Sequence, residues 1–192
     1  MAKRREHRGW IRLLVAGILV GMALWGMNAA YQNFCRAAYP QRYEAFVEQY
    51  TQEYGVDKFL VYAVIKAESD FRTQVVSVDD ACGLMQMLPE TLEWIQKLEP
   101  GERKYVREDL FLPEVSIRYG VFFLSWLMQE FSALESVVAA YHAGAGAVNG
   151  WLAETEYSSD GVGLDRIPYP DTAEYVKCVL ECYAMYQSLY AE

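Results

Sequence analysis

Ala67-Glu68-Ser69-Asp70-Phe71, followed after a short gap by Gly83-Leu84-Met85-Gln86, is the stretch that decides how this chain is interpreted. Glu68 lies four residues after Val64 and eight after Leu60, so in a helix its side chain continues their apolar row. Burial in such a row disfavours the ionised carboxylate and raises its pKa towards neutrality, which makes Glu68 a candidate general acid. The alternative is a glutamate that ends the helix and turns out to water, since buried glutamates are rare.

The pattern around this stretch predicts an all-α, predominantly helical fold. Apolar residues recur at helical spacing in several segments, and no convincing alternating strand pattern or internal repeat is present. Gly55 is a stop signal for one predicted helix, and Asp57 can cap the next, which should run from Lys58 to about Ser69. Further helices are predicted to start near Pro89, Glu114, Glu135 and Asp171.

The N-terminal part of the chain has the pattern of a membrane anchor. Residues 1–12 hold five basic side chains and one acidic one, and residues 13–30 contain no charged side chain. This predicts a cytoplasmic basic flank (1–12), a single transmembrane helix (13–31), a linker (32–42) and an extracytoplasmic domain (43–192). A cleaved signal peptide is the alternative, although the apolar run exceeds a usual signal core and lacks a clear Ala-x-Ala site.

The composition argues against nucleic acid and metal as partners. The formal net charge is −9, and because residues 1–31 contribute +4, the remainder carries −13, the opposite of what phosphate binding requires. The four cysteines lack the paired spacing of a zinc site, and only two histidines are present. A disulfide between Cys82 and either Cys178 or Cys182 is allowed outside the membrane, with small buried thiols as the alternative. No cofactor is predicted.

Two further polar side chains have unusual neighbours. Gln86 lies within the otherwise apolar run 84–88, and Tyr141 is followed closely by the small residues 143–146. Small residues at that density allow another segment to approach the backbone closely. Tyrosine and tryptophan are the side chains with which sugar-binding clefts make stacking and hydroxyl contacts, although most of the 15 tyrosines are expected in the core.

Taken in order, these motifs resemble those of the lytic transglycosylases of the soluble lytic transglycosylase type, which share a goose-type lysozyme-like helical fold. The resemblance covers roughly residues 43–186. It rests on segments that match in the same order: Glu68-Ser69 with Phe71, Ser77 through Ala81, Gly83-Leu84-Met85-Gln86 with Pro89 and Thr91, Ile117-Arg118-Tyr119-Gly120, Ala140-Tyr141-His142-Ala143-Gly144, and Ile167-Pro168 to Leu180. It implies that residues 43–192 form a lysozyme-like lytic transglycosylase domain.

The resemblance also implies a role for each matching site residue. Glu68 would be the single catalytic acid and base, and Tyr141 would face the reaction centre from across the cleft. The implied substrate-binding residues are Ser77, Met85, Gln86, Tyr141, His142 and Asp171.

Three positions depart from the family pattern. Asp80 stands where the family usually has Gly, His142 where it has Asn, and Asp171 where it has the longer Glu. These departures affect the expected affinity for sugars more than the reaction, because Glu68 is intact. His142 is either a second titrating group near the acid or a hydrogen-bond partner that replaces the Asn.

The implied function is cleavage of peptidoglycan between N-acetylmuramic acid and N-acetylglucosamine, with formation of a 1,6-anhydro ring. Ordinary glycosidases need two carboxylates, whereas this reaction needs one. A muramidase that hydrolyses the same bond is the alternative, with water activated by one of Asp70, Asp79, Asp80 or Asp171. A second alternative is a membrane-tethered protein that binds glycan, or assists cell-envelope assembly, without turnover.

Overall fold

The structure is a computed structural model that describes residues 2–99 and 104–191, without the side chains of residues 2–13, 15 and 16. The chain forms two compact units, Met1–Pro40 and Gln41–Glu192.

The N-terminal unit contains one helix, α1 (Ala2–Ala38). The predicted linker, residues 32–42, is helical as far as Ala38, because neither glycine nor proline interrupts the sequence between Gly26 and Pro40. Within the described residues, no helix is long and apolar enough to cross a membrane. The predicted anchor at 13–31 is therefore not confirmed. The predicted basic flank, 1–12, lies outside the residues whose side chains are described, as do positions 13, 15 and 16 of the anchor.

The second unit confirms the predicted all-α class. Its elements are α2 (Glu44–Tyr54), α3 (Lys58–Ser69), α4 (Pro89–Leu98), a 3-10 helix (Arg107–Phe111), α5 (Pro113–Glu130), α6 (Leu134–Ala143), α7 (Ala145–Leu152) and α8 (Pro170–Tyr190). Among the described residues there is no strand, only isolated bridges that join Val76 to Cys82 and Cys82 to Met87.

The helix that contains Glu68 begins and ends at the signals present in the sequence. Gly55 ends α2 in the left-handed conformation, with φ of 70°. Asp57 then caps α3, since its carboxylate accepts a hydrogen bond of 2.8 Å from the backbone N–H of Phe59. At the other end, Asp70 adopts a left-handed conformation and terminates α3 directly after the Glu68-Ser69 pair.

Helix α5 is the central helix of this unit, and α8 lies beside the helix that contains Glu68. Helix α5 packs against α2, α4, α6 and the 3-10 helix, and it has buried residues on more than one face. Helix α8 packs against both α3 and α6. This arrangement places the start of α8 beside the end of α3, where Glu68 lies.

The segment between α3 and α4 folds back over the end of α3. Ser69 fixes it with a hydrogen bond of 2.8 Å from its hydroxyl to the carbonyl of Leu84. Gly83 has φ of 80°, and a Cβ there would lie 2.0 Å from the carbonyl oxygen of Leu110, so only glycine fits. Asp80 and Gln86 are also left-handed, with φ of 66° and 44°. Strained backbone of this kind is concentrated at functional sites.

Candidate active site

Glu68 occupies the position that the apolar row of α3 predicted. Its carboxyl group lines a cleft of about 210 Å³ and is only partly exposed. Burial raises its pKa from the ordinary value of 4.5 to about 7, and a hydrogen bond from Tyr175 opposes that rise. A carboxyl with a pKa raised into this range retains its proton far better near neutral pH than an ordinary glutamate, which suits a group that must first donate a proton and then accept one.

The nearest partner of Glu68 is Tyr175, a residue to which the sequence assigned no role. The Tyr175 hydroxyl donates a hydrogen bond of 2.7 Å to Oε1 of Glu68. Burial and the charge of Glu68 raise the pKa of Tyr175 well above 10, so the hydroxyl stays protonated. Tyr175 lies one turn after Asp171 on α8, and the sequence of that helix, which contains several tyrosines, holds no signal that distinguishes it.

Tyr141 lies in the cleft near the acid, as predicted, and also binds the loop. Its hydroxyl donates a hydrogen bond of 2.8 Å to the carbonyl of Met85. Burial and the charge of Glu68 raise its pKa well above 10.

Met85 itself is fully buried and is absent from the cleft wall. Its side chain is close enough to Gly120 that a Cβ there would lie 2.3 Å from the sulfur. The Met85 side chain therefore packs into the core, away from the cleft wall, and the predicted role of Met85 in substrate binding stays a prediction.

Ser77 and Gln86 both line the cleft, and both organise its loop. The Ser77 hydroxyl accepts hydrogen bonds from the backbone N–H groups of Asp79 and Ala81, at 3.2 and 3.1 Å. The Gln86 amide nitrogen donates to the carbonyls of Val75 and Gly83, at 3.1 and 2.9 Å. The amide of Gln86 lies in an otherwise apolar segment because it holds the backbone of the loop by these two hydrogen bonds. The rest of the Gln86 side chain faces the cleft.

His142 lines the cleft, and its ring stacks on Tyr175 with centroids 4.5 Å apart. Its Nδ1 is hydrogen bonded to the hydroxyl of Thr172 at 3.1 Å. Burial lowers the pKa of His142, while the charge of Asp171 opposes that change. The ring is therefore neutral at neutral pH, which favours the interpretation of His142 as a hydrogen-bond partner.

Asp171 is exposed in the first turn of α8 and is absent from the cleft wall. Its predicted contact with substrate at Glu68 is not supported, because the helix start directs this shorter side chain to solvent beside His142.

The cleft has further walls that the sequence did not single out. They come from the loop between α3 and α4, the start of α4 and the middle of α5, and the additional lining residues are Asp79, Ala81, Met87, Leu88, Thr91 and Phe123. Of the four carboxylates considered as bases for hydrolysis, Asp79 is the one that lines the cleft. Asp70 pairs with Lys66 at 2.5 Å, and Asp80 pairs with Arg107.

Within the described residues, no group of three or more His, Cys, Asp or Glu side chains is placed to hold a metal ion. The four cysteines are free thiols, with Cys178 exposed and the other three buried, so the disulfide allowed by the sequence is absent.

Comparison with known proteins agrees with this geometry. The family model described as the transglycosylase SLT domain matches residues 45–161. The soluble lytic murein transglycosylase of Escherichia coli is 30% identical over 196 residues, which cover 97% of this chain and 28% of that protein. The membrane-bound lytic murein transglycosylase C of Mannheimia succiniciproducens is 32% identical over 117 residues, 56% of this chain and 33% of that protein.

A solved structure matches the fold as well. The crystal structure of the 70 kDa soluble lytic transglycosylase from Escherichia coli aligns with a TM-score of 0.74 and 27% identity, over 82% of this chain and 26% of that one. This chain thus spans about a quarter to a third of the length of these relatives. Since the family model covers more than half of the chain and the site residues Glu68, Ser77, Gln86 and Tyr141 lie within that match, the chain belongs to the transglycosylase SLT domain family.

Proposed function

We propose that this protein is a peptidoglycan lytic transglycosylase in which Glu68 acts as both acid and base. One observation supports this above all: Glu68 lines the cleft, burial raises the pKa of its carboxyl to about 7, and that carboxyl accepts a hydrogen bond from Tyr175. Proteins named lytic murein transglycosylases among its relatives point to the same substrate.

In the proposed reaction, neutral Glu68 first protonates the glycosidic oxygen between N-acetylmuramic acid and N-acetylglucosamine. Positive charge develops on the muramyl sugar as the bond breaks. The hydroxyl of Tyr175 stabilises the carboxylate that remains, since hydrogen bonds to charged groups are the strong ones. Glu68 then accepts the proton of the 6-hydroxyl on the same sugar, and that oxygen closes the 1,6-anhydro ring. No water is consumed, and the proton returns to the carboxyl.

Mass spectrometry of digested peptidoglycan tests the reaction directly. Products with 1,6-anhydro ends are lighter by one water than the reducing ends left by hydrolysis. Glu68→Gln should retain the fold and lose the activity. Release of reducing ends alone would refute the transglycosylase proposal, and binding to cell-wall sacculi without any soluble product would favour the glycan-binding alternative.

Hydrolysis remains the second candidate because Asp79 shares the cleft with Glu68. A carboxylate on the opposite face of the sugar could activate water, as in inverting glycosidases. If Asp79 has that role, Asp79→Asn abolishes the reducing ends and leaves anhydro ends unchanged.

We further propose that residues 13–31 anchor the protein in the cell membrane, with residues 43–192 outside the cytoplasm. The basic residues of positions 1–12 and the uncharged run that follows support this. Large apolar side chains are also exposed along α1: Leu14, Ile18, Leu19, Val20, Met22, Leu24, Trp25, Met27, Tyr31 and Phe34. The full chain should remain with membranes after a carbonate wash, and a variant lacking residues 1–42 should be released. Recovery of the full chain in the wash would contradict the anchor.

A further inference from the structure

A series of aromatic contacts leads from the cleft wall to two tryptophans that lie outside its lining. Phe123 lines the cleft and contacts the Tyr141 ring, with centroids 5.3 Å apart. The Trp126 ring lies nearly parallel to Phe123, at 9° and 6.3 Å. Trp94 meets Trp126 edge to face at 4.9 Å. We call Trp94 and Trp126 the tryptophan ledge.

The position of the ledge follows from the register of two helices. Thr91 on α4 and Phe123 on α5 both line the cleft. Trp94 and Trp126 each follow one of these residues by three positions, so each lies one turn further along the same helix face. The two tryptophan rings touch, so the two helices bring them together one turn beyond the residues that line the cleft.

The ledge is rigid on one side and accessible on the other. Trp94 and Phe123 pack against a buried cluster that includes Leu92, Ile95 and Tyr119. Trp94, Phe123 and Trp126 are nevertheless only partly buried. Aromatic rings that are fixed from behind and open in front offer a preorganised surface, so little conformational entropy is lost when a ligand covers them.

The chemistry of the ledge suits a sugar chain. The faces of an aromatic ring carry partial negative charge, and they attract the weakly positive C–H groups on the face of a pyranose. A basic patch, which an anionic polymer would require, is absent from this wall of the cleft, whose lining residues are uncharged or acidic. We propose that Trp94 and Trp126 form a distal glycan subsite, which binds N-acetylated sugar units that extend beyond those held at Glu68.

This inference rests on the proposed function and adds a preference for long chains. The ring contacts run from Tyr141 to Phe123 and then to Trp126, each step more than 5 Å between centroids. A short fragment bound at Glu68 therefore does not reach the ledge, whereas a long strand does. The ledge makes the affinity depend on glycan length.

Binding measurements with peptide-free glycans of increasing length test the subsite. The measurements use Glu68→Gln protein, which binds without cleaving. Trp126→Leu should weaken the binding of long strands roughly three- to ten-fold, the range expected for loss of an aromatic contact, and leave that of short fragments within about two-fold. Trp126→Phe retains an aromatic face and should restore most of the affinity. Trp151→Phe is the control, because Trp151 on α7 is buried, packs against Tyr169 and lies outside the cleft wall.

Two results would overturn the subsite: unchanged affinity of Trp126→Leu for long strands, or an equal loss for short and long ones. Weakened binding of free stem peptides with unaltered glycan binding would also overturn it, since the ligand would then be peptide. If Trp126→Leu fails to fold, the indole N–H resonances of the protein with native tryptophans decide the matter. Long strands should shift the indole resonances of Trp94 and Trp126 and leave that of Trp151 unchanged. If the resonances of Trp94 and Trp126 do not shift, the proposed subsite is refuted. Anhydro product from the native enzyme is scored separately, so failure of the ledge and failure of the proposed reaction are distinguishable.

Discussion

Replacement of Glu68 by Gln should abolish activity and at the same time stabilise the fold at neutral pH. In the folded protein the pKa of Glu68 is raised from 4.5 to about 7. A shift of that size corresponds to about 3 kcal/mol of preference for the neutral carboxyl. Ionised Glu68 therefore destabilises the native state, and glutamine, which is neutral and nearly the same shape, removes this cost while still accepting the hydrogen bond from Tyr175.

The pH dependence of the effect has a definite sign. Below about pH 4.5 the carboxyl is neutral in both the folded and the unfolded chain, so the variant and the native protein should be equally stable. As pH rises, the unfolded chain ionises first, and the native protein loses stability until the folded carboxyl ionises near pH 7. The variant should gain about 3 kcal/mol at pH 8, or roughly 6–12 °C in Tm.

Urea unfolding at pH 4 and pH 8 measures this difference for both proteins. All other titrating groups contribute equally to the two and cancel in the comparison. Glu174→Gln, an exposed glutamate on α8, removes the same charge without burial and should show no such gain. A gain that is equal at pH 4 and pH 8, or a loss at pH 8, would refute the assignment of a buried, proton-donating Glu68.

Three other changes have defined outcomes. Tyr175→Phe removes the hydrogen bond that lowers the pKa of Glu68, so the alkaline limb of the pH–rate profile should move up by about one pH unit; a limb that moves down would contradict this. Gly83→Ala should destabilise the fold by about 3 kcal/mol in urea unfolding, because its Cβ would lie 2.0 Å from a backbone oxygen; a stability close to native would show that the loop relaxes easily. Asp80→Asn and Arg107→Gln each remove an ion pair between the cleft loop and the 3-10 helix, and hydrogen exchange of amides 77–82 should become faster in both; unaltered exchange would mean that the turn holds without the pair.

Local signals predicted the bounds of α3, because the features that determine them lie within a few residues. The stop at Gly55, the Asp57 cap and the apolar row all act at short range. The burial of Glu68 did not follow from the same row, because that position also fits a glutamate that ends the helix and turns out to water. Periodicity therefore predicted the helix and left the environment of Glu68 open, and it is the packing of the folded domain that raises the pKa of Glu68.

Contacts between distant segments could not be predicted in the same way. Tyr175 binds Glu68 across 107 residues of sequence, and nothing in its own helix distinguishes it from the other tyrosines of α8. Gln86 was expected to contact sugar, but its amide nitrogen donates to two backbone carbonyls, which depends on the fold of the loop. Met85 lies in the same motif as Gln86, but its side chain is buried and packs against Gly120, so it supports the loop from the core.

The hydrogen bond between Tyr175 and Glu68 also has a consequence for when the protein becomes active. Its two ends belong to helices separated by most of the domain, so no fragment that stops before α8 contains the complete site. A chain still emerging from the ribosome holds Glu68 long before it holds Tyr175, and non-local contacts of this kind form late in folding. The proposed catalytic pair is thus complete only after nearly all of the domain has been synthesised and folded.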